Sequence, residues 1–364
     1  MKKFVKMSMA AAITVAGLSS VANAGLLENA IEDVEISGKV YVEFIANTHE
    51  NATSESKTNS LSDIDTELTI KAPVNDQVTS VITLEADSQT SEGTTTSAKG
   101  LDVKKAYLAY TSNGISGNVG RFGISTPYTD GDRVEGFSAS YNINPVTLTG
   151  LYAITNDDVE ADNLAYFEAK TSVSNVNLNL NYLNGLEAAS TGLSVTTSVA
   201  NVDLGAHYAT SKFDDDSAKD GSILKLTAST TVGGISISGN YYKTGKDSAA
   251  VTSATEAAYA YELSQLVFGG NKNYSDASKI ADTTVMGLGL SKSIDKNTYY
   301  VNYATATTKG ATDDTDYSEL RLRAKSALSD NFALTATYSI YKKEIGSTVN
   351  AEQNSARIEG KYSF

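Results

Sequence analysis

His49 and His207 are the only imidazoles in a chain of 364 residues that contains no cysteine. No thiol is available as a nucleophile or as a zinc ligand. Neither histidine comes with a serine nucleophile motif. His49 stands in a polar stretch, and His207 lies on the polar parity of "NVDLGAHYAT". Metal binding is the next chemistry to consider. The runs "NDDVEAD", "DDDSAKD" and "DDTD" carry enough carboxylate for calcium. Their spacing does not match the oxygen-ligand order of an EF-hand loop. They read as solvated loop segments, and no cofactor or metal is expected.

The remaining chemistry-bearing residues are charges set at every second position. In "SELRLRAKS", Glu319, Arg321, Arg323 and Lys325 alternate with Leu320, Leu322 and Ala324. Near the start of the pattern, Lys39 and Glu43 alternate with Val40, Val42 and Phe44, and Asp65, Glu67 and Lys71 repeat the arrangement. "VNLNLNYLNG" and "NFALTATYSIYK" continue it without charge. Such spacing puts the two sets on opposite faces of a strand. The strands run about 9–11 residues, the length that crosses a bilayer when tilted. No long amphipathic helix interrupts them, and all three prolines, Pro73, Pro127 and Pro145, fall in turns or loops.

The first 24 residues read as a secretory signal peptide. Lys2, Lys3 and Lys6 precede a short apolar run, and Ala22-Asn23-Ala24 offers a small-residue cleavage site. Residues 25–364 then form a single domain. Removing those three lysines lowers the 29 basic residues to 26 against 43 acidic, a formal charge of −17. So acidic a chain is not a nucleic-acid binder.

The connections fall into two kinds. Short turns are read at Pro73–Asp76, Ser112–Gly114, Asn144-Pro145, Ser174-Asn175, Gly233-Gly234, Ser264-Gln265 and Leu328–Asn331. Between them lie longer polar loops at Asn47–Ser60, Ser88–Gly100, Asn156–Asp162, Phe213–Gly221, Gly245–Ala254, Thr308–Asp316 and Lys343–Glu352. Turns at one rim and loops at the other are the mark of an antiparallel up-and-down β-barrel in a membrane. Tyr110, Tyr152, Tyr182, Tyr299 and Tyr362 lie near strand ends, where aromatic girdles sit. The reading is thus all-β: a transmembrane barrel of about 18 strands (range 16–20), with short periplasmic turns and longer external loops. An exported soluble adhesin or surface-layer protein is the alternative, and a barrel enzyme a weaker one.

The ending "RIEGKYSF" places Ile358, Tyr362 and Phe364 on one face of a last strand. It resembles the C-terminal signature of Gram-negative outer-membrane barrels, which implies that Phe364 and Tyr362 serve as the signal read by the barrel-assembly machinery. The stretch "KKAYLAYTSNGISGNVGRFGISTPYTDGDRVEGFSASYNI" resembles the porin hairpin that leads into the third external loop. Overall the chain is similar to the major outer membrane porins of the Campylobacter group. The resemblance implies 16 or 18 strands, a homotrimer, contact with outer-membrane lipid and lipopolysaccharide, and a channel for small hydrophilic solutes.

By the same resemblance, Arg121 is the wall arginine at the constriction. Asp130, Asp132 and Glu135 are the facing loop carboxylates, with Arg133 beside them. The loop, about Gly123–Asp132, is short for an inward fold. Ile115 and Val119 share the parity of Arg121, so a register change at Gly120 is expected to turn Arg121 inward, across water from those carboxylates. Lys39, Lys71, Arg321, Arg323 and Lys325 are expected to line the lumen.

Overall fold

A computed structural model describes residues 34–364 except 52–53, 92–96, 99, 128, 157–162, 186–187, 214–219, 247–281, 311 and 347. The expected signal peptide and the expected turn at Ser264-Gln265 lie outside the described residues.

The first strands are β1 (Glu35–Asn51), β2 (Ser54–Asn75), β3 (Val78–Ser91), the two-residue β4 (Ser97–Ala98), β5 (Asp102–Ser112), β6 (Ile115–Thr126) and β7 (Thr129–Ile143). Next come β8 (Val146–Asn156), β9 (Leu164–Val173), β10 (Val176–Gly185), β11 (Ala188–Val199), β12 (Val202–Phe213) and β13 (Gly221–Val232). The chain closes with β14 (Ile235–Thr244), β15 (Thr283–Ile294), β16 (Asn297–Thr308), β17 (Thr315–Ala327), β18 (Phe332–Ile345) and β19 (Thr348–Ser363). Apart from β4, each pairs antiparallel with its sequence neighbours, and β1 also pairs with β19, which closes a barrel of 18 strands. Closure leaves no free edge and satisfies the backbone inside the wall, as a membrane requires. No described helix is long and apolar enough to cross a membrane. The crossing is made by strands.

Cross-strand register fixes the two faces. Phe44, Leu108, Val119, Phe137, Phe167, Leu180, Leu226, Met286 and Leu322 are exposed, and register places them on the outside. Glu43, Glu168, Asn181, Ser194, Lys225, Glu319 and Gln353 are buried on the inside. Only a lipid solvent makes so large an exposed apolar outer face favourable. This sets aside the soluble adhesin reading.

The tight turns are built by backbone chemistry. Asn113-Gly114 and Gly233-Gly234 carry positive φ at both residues, as two-residue turns of matching twist demand. Ala200-Asn201 does the same at φ 49° and 66°. Asparagine favours such a turn, but alanine does not. Ala200 bears steric cost in the left-handed region, so Ala200→Gly is expected to stabilise the barrel by about 1 kcal/mol. The midpoint of heat unfolding on semi-native gels tests this; no rise would refute it. Asp295-Lys296 is a second turn that the sequence reading passes over.

Several expected loops are strand instead. β1 and β2 continue to an Asn51↔Ser54 pairing through the stretch read as the loop Asn47–Ser60. That places His49 on β1 rather than in a loop. β18 and β19 pair as far as Ile345↔Thr348. The third external connection is a hairpin whose strands pair to Thr126↔Thr129, so Gly123–Asp132 is not a loop. Isolated polar stretches look like loops, but a partner at the right distance keeps their backbone groups laddered.

The packed core lies inside the barrel, toward the external ends of the strands. Leu164, Leu183, Ile223, Val285, Tyr317 and Tyr341 point inward and are buried. Phe122, Ile124 and Val134 of the β6–β7 hairpin belong to the same apolar cluster. Alternation predicts a polar inner face throughout, so this girdle corrects it.

Candidate functional site: the lumen wall and the inward hairpin

The hairpin is the element that organises the lumen. Pairing between β5 and β6 ends at Ala106↔Arg121, and pairing between β7 and β8 ends at Val134↔Asn156. Among the described residues, 122–133 therefore have no ladder partner on β5 or β8, and β6 and β7 ladder only with each other. The register shifts between Gly123 and Ser125, and such a shift bends a ladder. At the bend, Phe122 and Ile124 pack on the inward girdle. Arg133 reaches Glu85 on the inner face of β3 at 3.5 Å. The tip residues Ser125, Thr126 and Pro127 share a cavity of about 720 Å3 with the inner wall of β9–β13. The hairpin thus projects into the lumen.

Arg121 departs from expectation. Register runs unbroken through Gly120 on both sides, with Tyr107↔Gly120 and Gly120↔Gly136, although Gly120 itself has φ 122°. The shift comes three residues later. Arg121 keeps the parity of Val119, and its guanidinium meets Glu135, its direct cross-strand partner, at 3.7 Å. The pair stands at the root of the hairpin and is not an opposition across water. Asp130 and Asp132 lie on β7 in the free part of the hairpin, with Asp130 opposite Ser125.

The cavity wall opposite the tip carries Lys170, Asn177, Asn179, Ser194, His207 and Lys225. Lys170 is held by Glu168 at 2.7 Å, and Glu168 also accepts bonds from Tyr166 and Asn179 at 2.9 Å. His207 Nδ1 lies 2.8 Å from Ser194 Oγ. None of Lys170, His207 or Lys225 stands out in sequence as a cavity base. Each is a single polar residue on an inward parity, and only the arrival of the hairpin gathers them.

The other arc of the wall, where β1 meets β19, is densely charged. Lys39 bridges Asp65 at 3.4 Å and Glu67 at 3.1 Å. Lys104 pairs with both Glu67 and Glu85. The carboxylates of Asp65, Glu67 and Glu85 have ligand atoms within 4.8 Å of one another. Three cations, Lys39, Lys104 and Arg133, already neutralise them. Across the β1–β19 seam, Arg357 pairs with Glu43 and lies 3.0 Å from Glu359, and Tyr41 donates to Glu359 at 2.6 Å. On β17, Arg321 pairs with the buried Glu319 at 3.0 Å. Arg323 lies over the Tyr300 ring at 4.1 Å, a cation–π geometry. Lys325 follows toward the turn rim. Lys71 sits at that same rim beside Glu35 at 3.7 Å. The structure therefore places Lys39, Lys71, Arg321, Arg323 and Lys325 on the inner face, as alternation requires.

A model of the Campylobacter major outer membrane protein matches residues 1–204. The chain belongs to that family. It is an outer-membrane porin. No curated protein matches its sequence, but its fold is shared widely. Pseudomonas aeruginosa OpdL aligns at a TM-score of 0.72 and 11% identity, over 92% of this chain and 99% of that one. Acinetobacter baumannii OccAB4 aligns at 0.68 and 12%, over 91% and 98%. Pseudomonas aeruginosa OccK5 (OpdH) aligns at 0.68 and 10%, over 91% and 98%. At these identities the likeness is one of fold. Family and fold place this porin in the outer-membrane lipid, as its apolar outer face demands.

Proposed function

We propose that this porin carries ions and small hydrophilic solutes passively through its lumen, and that its narrowest part lies between the β6–β7 hairpin tip and the β9–β13 wall. The observation that carries this reading is the hairpin, bent at Gly123/Ser125 and facing Lys170, His207 and Lys225 across a cavity. Asp130 and Asp132, on that hairpin, supply the negative side, and the lysines of the wall the positive side. Low-dielectric walls focus such a field, and polar solutes reorient in it while apolar ones lose hydration. Arg121 and Glu135 anchor the hairpin at its root, and Arg133 ties it to the acidic group on β2–β3. Lys39, Lys71, Arg321, Arg323 and Lys325 keep the remaining wall wet and charged.

The pattern of the leader and the resemblance support the rest of the assignment. Residues 1–24 direct export, Phe364 and Tyr362 are read by the barrel-assembly machinery, the mature barrel is a homotrimer, and its rim contacts lipopolysaccharide. Single-channel recording of the purified mature protein in planar bilayers tests the central reading. Stepwise ohmic conductance is expected, and its absence would reject the proposal. Lys225→Glu is expected to change the permeability ratio of potassium to chloride about twofold or more toward potassium. An unchanged ratio in a conducting channel would move the constriction elsewhere.

A further inference from the structure

We infer that His207 sets the ion preference of the channel, adding a positive charge to the constriction in acid and none at neutral pH. The inference rests on reading the hairpin cavity as the narrow part of the pore. His207 lies on β12 with its side chain inward, directly opposite Ser194 on β11 and Lys225 on β13. Its Nδ1 is fixed by Ser194 Oγ at 2.8 Å. Two residues away is Gly205, where an added Cβ would stand 3.3 Å from the Nε2 atom. The ring therefore lies along the wall over a residue that has no side chain. It forms part of the cavity surface itself.

The groups around it are specific. β13 presents Lys225, and β9 presents Lys170 bound to Glu168. β10 and β11 present the neutral Asn177, Asn179 and Thr196. β14 brings the buried Tyr242 opposite Lys225. On its own strand the nearest acid facing inward is Asp203, four residues toward the turn rim, where it accepts from Ser198 Oγ at 2.5 Å. The hairpin carries Asp130 and Asp132. A protonated imidazole next to Lys225 strengthens the positive side of a narrow, field-focusing gap. Anions then gain and cations lose. An ordinary imidazole changes charge near pH 6.5.

The test is the reversal potential in a potassium chloride gradient at about pH 8 and about pH 5.5, on either side of that value. For the wild-type barrel, the chloride-to-potassium permeability ratio is expected to rise about twofold or more on acidification. His207→Gln should hold the neutral value at both pH values, and His207→Lys the acid value at both. Heat-modifiable migration on gels confirms that each barrel is folded. A conducting wild-type channel with no pH shift overturns the inference without any variant. So does a His207→Gln channel that keeps the wild-type shift. Absence of all conductance would instead remove the porin reading, and this inference with it.

Discussion

Deleting Phe364 is expected to cut the amount of folded, heat-modifiable barrel in the outer membrane by about 30-fold or more. The terminal residue is part of the ladder. Its N–H donates to the Gly38 carbonyl at 3.0 Å, and its own carbonyl accepts from the Gly38 N–H at 2.9 Å. Its ring lies 6.1 Å from that of Tyr362. Two ladder bonds at about 1 kcal/mol each and the lost ring contact come to about 2–3 kcal/mol, a factor of about 30–150 in the closure of the seam. Gly38 leaves room for the Phe364 ring. An added Cβ would stand 2.6 Å from Cζ of Phe364 and 2.6 Å from the Glu67 carbonyl oxygen. Gly38→Ala should therefore push the ring away and reproduce part of the loss with the last residue still present. Quantitative blots of outer-membrane fractions at native expression decide the matter. Equal amounts of all three proteins would show that the seam closes without this contact.

Replacing Arg357 with alanine is expected to have the next largest effect, lowering stability by about 2–3 kcal/mol. Arg357 is the cation that touches Glu43 of β1 together with Glu359 of its own strand. It also donates to Tyr41 at 2.8 Å. Glu43 is only 7% exposed. Removing the cation strands a buried carboxylate, a change that costs about 3–5 kcal/mol in full burial. Arg357 is 31% exposed, so water screens part of that cost. The double replacement Arg357→Gln with Glu43→Gln removes both charges and should recover most of the loss. Heat unfolding followed by semi-native electrophoresis compares the three proteins. If the double variant is as weak as Arg357→Ala, the effect is packing and not charge.

The charges at this seam were visible as alternation, but their partnership was not. Glu43 and Arg357 are 314 residues apart in sequence and meet only because β1 pairs with β19. The same limit applies to the hairpin. Local pattern reads "GRFGISTPYTDGDR" as a loop, since Gly, Ser, Thr, Pro and Asp favour turns. The two halves keep their ladder because each is the nearest edge for the other once β5 and β8 let go. The bend comes at Gly123/Ser125 and not at Gly120. Where a register slips depends on how many residues each neighbouring strand still offers, and one strand's sequence does not contain that count.

By itself the sequence determined the all-β barrel, the outward apolar face and the inward set that includes Lys39, Lys71, Arg321, Arg323 and Lys325. These follow from a period of two, which the pleat imposes on any strand and which needs no knowledge of its neighbours. Tertiary structure alone decided three things. It turned the third external hairpin into the lumen, gathered Lys170, His207 and Lys225 opposite its tip, and lined the external part of the inner wall with Leu164, Leu183, Ile223 and Val285. Each depends on which strands lie side by side and at what height. Closure of the ring fixes that, since every strand's height is set through all the others.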